Sequence, residues 1–329
     1  MNRREALLSL LLLGVIPLRS FAEQQSKLWR VGFLASRQRP ASPNSDIFYG
    51  AFAQGMHELG YTEGESLVIE WRFADGHFER LPGLAAELVR LKVDVIVTSG
   101  SPATRAAQEA TTTIPIVMAG VGDPLESGFV KSLARPGGNI TGVSLLLGDM
   151  APKQLEMLLR VAPKLSRTAV VFNPDNFSQF PLLKNVQAAA RKVNVTILPV
   201  ELRTPQEIEK AFATMAQANA EALIILPDPI SNDHLQQIAK LAVRNHLPPV
   251  DSMREFVAAG GLMSYGQNYR DNFRGAATYV DKILKGPTPG DLPIEQPTKF
   301  EMFINRKTAK ALRLTIPQSL LISADQVIE

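Results

Sequence analysis

Val93-Asp94-Val95-Ile96-Val97-Thr98-Ser99-Gly100-Ser101-Pro102-Ala103-Thr104 is the stretch that decides the fold. Val93–Thr98 is a continuous β-rich run, the pattern of a strand buried on both faces. A short polar loop, Ser99 to Thr104, follows it. Helical spacing then begins and runs over Thr104–Thr111. A doubly buried strand leading directly into a helix is a βα unit, and repeated βα units build a parallel sheet covered by helices.

The same alternation extends in both directions. Upstream, Trp29–Ala35 and Ser66–Phe73 are strand-like, while Ile47–Leu59 and Leu81–Leu91 have helical spacing. Downstream, Ile114–Met118 is a strand and Leu125–Leu133 reads as a short helix. The pattern restarts near residue 150. Helices are expected at Pro152–Val161, Leu182–Val193, Pro205–Ala218 and Asp233–Asn245, and strands at Thr168–Phe172, Val195–Val200, Ala222–Leu226 and Pro249–Asp251. The last 65 or so residues break the rhythm. Leu262–Tyr265 is a strand, Asn272–Leu284 an amphipathic helix, and Gly286 to Pro297 a Pro/Gly-rich segment; Phe300–Ile304 and Lys307–Leu314 follow as strand and helix. Such a tail fits a chain passing back and forth between two α/β lobes through several hinge strands, which absorb dihedral change when lobes close.

Composition narrows the function classes. The 329 residues suit about two domains. A net charge of +3, spread evenly, argues against nucleic acid as a partner. The absence of cysteine excludes disulfides, thiolate metal sites, a thiol nucleophile and a lipid-modified N-terminal Cys. The four His (His57, His77, His234, His246) show no metal-ligand spacing, and no metal or cofactor is expected. There is no G-x-S-x-G, H-E-x-x-H or Walker-type loop, so the chain does not read as an enzyme.

Residues 1–22 read as a cleaved secretory signal. Arg3 and Arg4 open it, Ala6–Ile16 is apolar, and Ser20-Phe21-Ala22 supplies small residues before Glu23. The apolar run is shorter than the roughly 20 residues a membrane span needs. Removal of this segment takes away three Arg and one Glu and leaves a mature charge of +1. An export signal also stands where a DNA-binding helix-turn-helix would be in a regulator.

In open parallel sheets, ligands bind beyond the C-terminal strand ends. The residues there are Ser36; Ser99, Ser101 and Thr104; Asp123 in Gly120-Val121-Gly122-Asp123-Pro124; Asn173, Asn176 and Ser178; Asp228 in Pro227-Asp228-Pro229; and Asp251. Ser101 fits a helix N-cap with Pro102 at the first helical position, and a free helix N-terminus suits a carboxylate. Asp123 and Asp228 suit an ammonium group. Capping and turn chemistry is the alternative for each Ser and Asp. Recurrence of polar loops at equivalent ends of both units favours one small polar ligand held between facing lobes.

Leu133-Ala134-Arg135-Pro136-Gly137-Gly138-Asn139-Ile140-Thr141-Gly142-Val143-Ser144 resembles a signature of bacterial ABC-transporter substrate-binding proteins of the tryptophan/tyrosine type. Gly122-Asp123-Pro124, Ser264-Tyr265-Gly266, Tyr279–Gly286, Glu295–Phe300 and Ala324–Glu329 are similar to that family too, so the resemblance spans the mature chain. It implies a type I periplasmic-binding fold: two Rossmann-like lobes with parallel sheets joined by about three hinge crossings. Residues 23–145 and 266–290 would form the N-terminal lobe, and 146–265 with 291–329 the C-terminal lobe. The family's amine and carboxylate roles map onto Asp228, Ser101 and Thr104, with Asn173 and Asn176 as second-lobe contacts and Phe177 and Tyr265 as candidate aromatic walls. Pro227-Asp228-Pro229 departs from the Thr-Asp-Asn form of amino-acid binders in this family.

The expected function is therefore that of a periplasmic, monomeric solute receptor. It would bind a small polar ligand, an aromatic or other amino acid, and deliver it to an ABC permease in the inner membrane. The alternative is a periplasmic sensor feeding a membrane signalling protein.

Overall fold

The computed structural model describes residues 27–329, so the signal segment read at 1–22 lies outside the described residues. In the first lobe, β1 (Trp29–Ala35), β2 (Leu67–Phe73), β3 (Val95–Ser99), β4 (Ile116–Val121) and β5 (Ile140–Ser144) alternate with α1 (Tyr49–Glu58), α2 (Leu81–Arg90) and α3 (Ser101–Ala110). The five strands form one sheet in the order β2-β1-β3-β4-β5, every pairing parallel. All five residues of β3 are buried, as an apolar run between two helical layers requires.

The second lobe comprises α4 (Met150–Val161), β6 (Arg167–Phe172), α5 (Gln179–Lys192), β7 (Thr196–Glu201), α6 (Ile208–Gln217), β8 (Ala222–Ile225), α7 (Pro229–Asp233), α8 (Leu235–Arg244), β9 (Pro249–Asp251), α9 (Arg254–Ala258) and β10 (Met263–Gln267). Then α10 (Tyr269–Leu284) packs back on α1, β4 and β5 of the first lobe. The chain returns through β11 (Phe300–Asn305), α11 (Arg306–Ala311), α12 (Gln318–Ser323) and β12 (Gln326–Ile328). The second sheet runs β12-β11-β10-β9-β8-β6-β7, parallel except for the antiparallel pair β10–β11. That pair is antiparallel because β11 re-enters from the opposite lobe rather than from a crossover helix.

Three crossings therefore join the lobes: β5 to α4, β10 to α10, and α10 to β11. Gln267 links all three. Its Oε1 accepts the Leu146 N–H of the first crossing at 2.9 Å, and its Nε2 donates to the Pro297 carbonyl of the third. The third crossing also runs beside β5, with Ser144 N–H donating to Glu295 O at 2.9 Å and Glu295 N–H to Gly142 O at 3.0 Å. Gly142 is required at φ +127°, since an added Cβ would sit 2.5 Å from the Met118 backbone across the sheet.

Helix α10 matters as much to the first core as that lobe's own helices. Its Phe273 stacks on Phe33 and Phe48, with ring centroids 6.3 and 5.5 Å apart, and meets Tyr49 edge-on. Phe33, Tyr49, Phe52 and Phe273 are buried in this aromatic cluster, each side chain contributing roughly 1.5–3 kcal/mol on full burial.

Two local expectations are corrected, and one strand goes beyond the sequence pattern. Leu125–Leu133 is not a helix but a set of turns. Asp123 Oδ1 accepts the Leu125 and Glu126 N–H groups at 2.9 and 3.0 Å, and Gly128 turns the chain at φ +69°. Helix α3 begins at Ser101, and its N-cap is Gly100 at φ +90° rather than Ser101. Strand β5 lies in the Gly- and Pro-rich signature, where the breakers hide it from a pattern search.

Replacing Gln267 by Leu should strand a backbone N–H and a backbone carbonyl at the hinge, at about 1–3 kcal/mol each if they stay unpaired. The expected result is a loss of at least about 2 kcal/mol in urea unfolding. A loss under about 0.5 kcal/mol, the range of ordinary surface changes, would show that the crossings do not depend on this side chain.

Candidate functional site

The strand-end loops of both lobes meet in a cavity of about 60 Å³. The first lobe contributes Arg37, Ser99, Gly100, Ser101, Gly120 and Gly122; the second contributes Asn176, Ser178, Asp228 and Asn232. Leu145 and Leu147 of the first crossing, with Tyr269 and Phe273 of α10, supply apolar wall. The β4–β5 register shifts at Gly120, where φ is +71°, and this swings the Gly122 loop toward the cleft.

Asp228 is the electrostatic centre of the second lobe. It caps α7, with Oδ1 accepting the Ile230 N–H at 3.0 Å and the Asn173 amide at 3.3 Å. Oδ2 accepts from Asn176 at 3.0 Å and Gln179 at 3.3 Å. Gln179 is itself held by the Pro227 carbonyl at 2.7 Å and the Asn173 N–H at 2.6 Å. All of these donors are neutral, and Asp228 makes no ion pair among the described residues. Burial of the carboxyl, opposed by these hydrogen bonds, pushes its pKa up to about 6. A buried carboxylate of this kind gains from any cation that enters the cavity.

The first lobe brings an arginine that is already paired with carboxylates. The Arg37 guanidinium reaches across the cleft, Nε donating to Asp233 Oδ1 at 2.6 Å, while the Gln38 N–H donates to Asp233 Oδ2 at 3.0 Å. It lies over the Phe48 ring at 5.0 Å. Its Nη1 is buried, 3.5 Å from the Asp46 carboxylate but without a hydrogen bond. Asn232 Oδ1 is also buried and unpartnered. Gly100 and Ser101 bring the start of α3 to the same cavity, where first-turn N–H groups have no partner within the helix.

Of the ten residues expected at the strand ends, Ser99, Ser101, Asn176, Ser178 and Asp228 line this cavity. The other five sit elsewhere. Asn173 stands behind Asp228 and holds it. Thr104 is committed within the first lobe, its hydroxyl 2.7 Å from that of Thr98 and donating to Gly100 O at 3.1 Å. Ser36 is fully buried with its Oγ unpartnered, near Gly100. Asp123 borders a neighbouring, larger cavity. Asp251 is buried, accepts the Met253 N–H at 2.7 Å, and is pushed up to about 7 by burial.

Arg37 and Asn232 escaped the sequence reading. Arg37 is the residue after Ser36 and was within reach of the strand-end rule. Asn232 lies one helical turn beyond Asp228, on a helix too short to show periodicity. Tyr269 and Phe273 come from a helix that joins the site only through the crossings.

Among the described residues no helix is long and apolar enough to cross a membrane. Residues 41–328 match the family model for ABC transporter substrate binding protein. A curated relative, the tyrosine-binding protein of Clostridioides difficile, is 28% identical over 270 residues, covering 82% of this chain and 77% of the relative. A conserved domain protein from Vibrio cholerae superposes with a TM-score of 0.84 at 26% identity, covering 92% of this chain and 100% of that one. An ABC domain in complex with L-Trp from Streptococcus pneumonia gives 0.82 at 25% identity, covering 91% and 99%. More distant sugar-binding receptors, such as a D-allose-bound protein from Actinobacillus succinogenes at 13% identity and TM-score 0.56, share the fold of two lobes around a cleft. With nearly the whole described chain accounted for by one family model, this protein belongs to the ABC transporter substrate-binding family.

Proposed function

We propose that the chain is an exported receptor that captures a zwitterionic amino acid, aromatic in its side chain, between its lobes. It then presents the closed form to an inner-membrane ABC permease. Asp228 carries this reading, as a buried carboxylate hydrogen-bonded by neutral donors alone and lining a cleft to which the other lobe brings Arg37 and the start of α3. The ligand ammonium sits against Asp228 and Asn232 Oδ1. The ligand carboxylate sits against Arg37 Nη1 and the start of α3, near Ser101. The tyrosine-binding relative and the L-Trp complex support the ligand class. The apolar segment before residue 23 supports export, and without cysteine the mature N-terminus is not lipid-anchored.

Binding and closure are one equilibrium. A ligand that touches both lobes shifts the population toward the form in which they meet. Arg37 and Asp233 form an ion pair between the lobes, and their side chains keep only 15% and 10% of their exposure. The pair strengthens closure without Asp233 lining the cavity.

Calorimetry on mature, ligand-stripped protein with L-Tyr and L-Trp tests the reading. Asp228→Asn should weaken binding at least tenfold, about 1.4 kcal/mol. Failure of the wild type to bind any aromatic amino acid would overturn it.

The pH dependence follows from the raised carboxyl. Ammonium binding requires the ionised carboxylate and the protonated amine, so affinity should be flat from about pH 7 up to the ligand ammonium's own deprotonation at about pH 8 or above. It should fall about tenfold per unit below about pH 6, where free Asp228 takes up a proton. Affinity unchanged down to pH 5 would exclude Asp228 as the ammonium partner.

Asp233→Asn should raise the ligand off-rate about fivefold with little change in on-rate, as measured by stopped-flow. An unchanged off-rate would show that the ion pair does not hold the lobes together.

A further inference from the structure

The cavity of about 60 Å³ falls well short of the roughly 300 Å³ at which small-molecule pockets begin. It has room for polar head-group contacts and little else. Beside it lies a cavity of about 690 Å³, which shares Gly122, Leu145, Leu147 and Ser178 with it. The partition between the two is thin. A Cβ on Gly122 would stand 3.4 Å from Leu147 Cδ1, 3.7 Å from Ser101 Oγ and 3.9 Å from Ser178 Cβ. Gly122 is not in the left-handed region, so its missing side chain serves space rather than backbone conformation.

The larger cavity is suited to an aromatic body. Phe177 and Leu182 line it from the second lobe. Tyr265 and Phe300 form a flat ledge, their rings stacked with centroids 5.4 Å apart. Its polar border is acidic. Asp123, Glu126 and Asp149 stand there with Glu156, which is already paired with Lys153 at 2.8 Å.

We infer that the ligand side chain passes Gly122 into this larger cavity, and that the receptor accepts amino acids whose aromatic side chains are longer than that of tyrosine, with a neutral or cationic far end. This rests on the amino-acid head group lying at Asp228. The small cavity sets the amino-acid class, the larger one sets the length of side chain, and the acidic border disfavours an anionic end.

The test is calorimetry with L-Tyr, O-benzyl-L-tyrosine and O-phospho-L-tyrosine on wild type, Gly122→Ala and Gly122→Val, with a melting curve for each variant. O-benzyl-L-tyrosine should bind the wild type within tenfold of L-Tyr, and O-phospho-L-tyrosine at least tenfold more weakly than L-Tyr. Gly122→Val should weaken L-Tyr and O-benzyl-L-tyrosine by at least thirtyfold at an unchanged melting temperature. Gly122→Ala, which makes ordinary contacts, should have an intermediate effect and reads the same passage if the Val variant misfolds. Wild type that binds L-Tyr but rejects the benzyl ether by more than a hundredfold overturns the inference and leaves the amino-acid reading standing. So does benzyl-ether binding that both Gly122 variants leave unchanged. O-phospho-L-tyrosine binding as tightly as L-Tyr overturns the assigned role of the acidic border. Binding of none of the three overturns the amino-acid reading and this inference together.

Discussion

Gln267 ties the three crossings between the lobes together. One amide reaches the first crossing through its oxygen and the third through its nitrogen, while its own backbone belongs to the second. Three chain segments that cross between the lobes each carry backbone groups that must find new partners. A side-chain amide, with one acceptor and two donors, can satisfy both neighbours at once. The junction is thus a hydrogen-bonded bundle rather than three loose linkers.

Helix α10 is the second consequence of that arrangement. It follows β10 of the second sheet directly, yet its Phe273 completes the aromatic core of the first lobe. Folding of the first lobe therefore draws on a segment more than a hundred residues downstream. The same helix starts with Tyr269 at the cleft, so core packing and cavity wall are set by one element.

Charge at the cleft is paired within and across the lobes, with Arg37 set between Asp46 and Asp233. The second lobe buries Asp228 among amides, and the first brings Arg37 and the start of α3. Arg37 is shared: Nε is committed to Asp233 on the far lobe, and Nη1 is left without a hydrogen bond. Asn173, Gln179 and Thr104 do not line the small cavity, yet they hold the residues and loops that do.

Local pattern was enough to reveal the α/β architecture. Runs such as Val93–Thr98, together with the alternation around them, require buried parallel strands covered by helices. The strand-end rule placed Ser99, Ser101, Asn176, Ser178 and Asp228 on the cavity, because a strand's end is fixed by its own residues. It could not separate lining residues from supporting ones: Asn173 and Thr104 have the same local chemistry as Asn176 and Ser101, and only packing decides which amide or hydroxyl faces the cleft. Strand β5 is hidden by Gly142 and by the Pro136-Gly137-Gly138 breakers just before it, and spacing alone gives a helix after Asp123 because apolar spacing does not register a carboxylate capping two N–H groups. The sequence by itself determined the layers, the strand ends and the presence of a hinge, since these follow from hydrophobic period and breakers along the chain. Tertiary structure alone decided the Gln267 junction, the Arg37–Asp233 contact and the closeness of Gly122 to Leu147 and Ser178, because each is a distance between residues far apart in sequence.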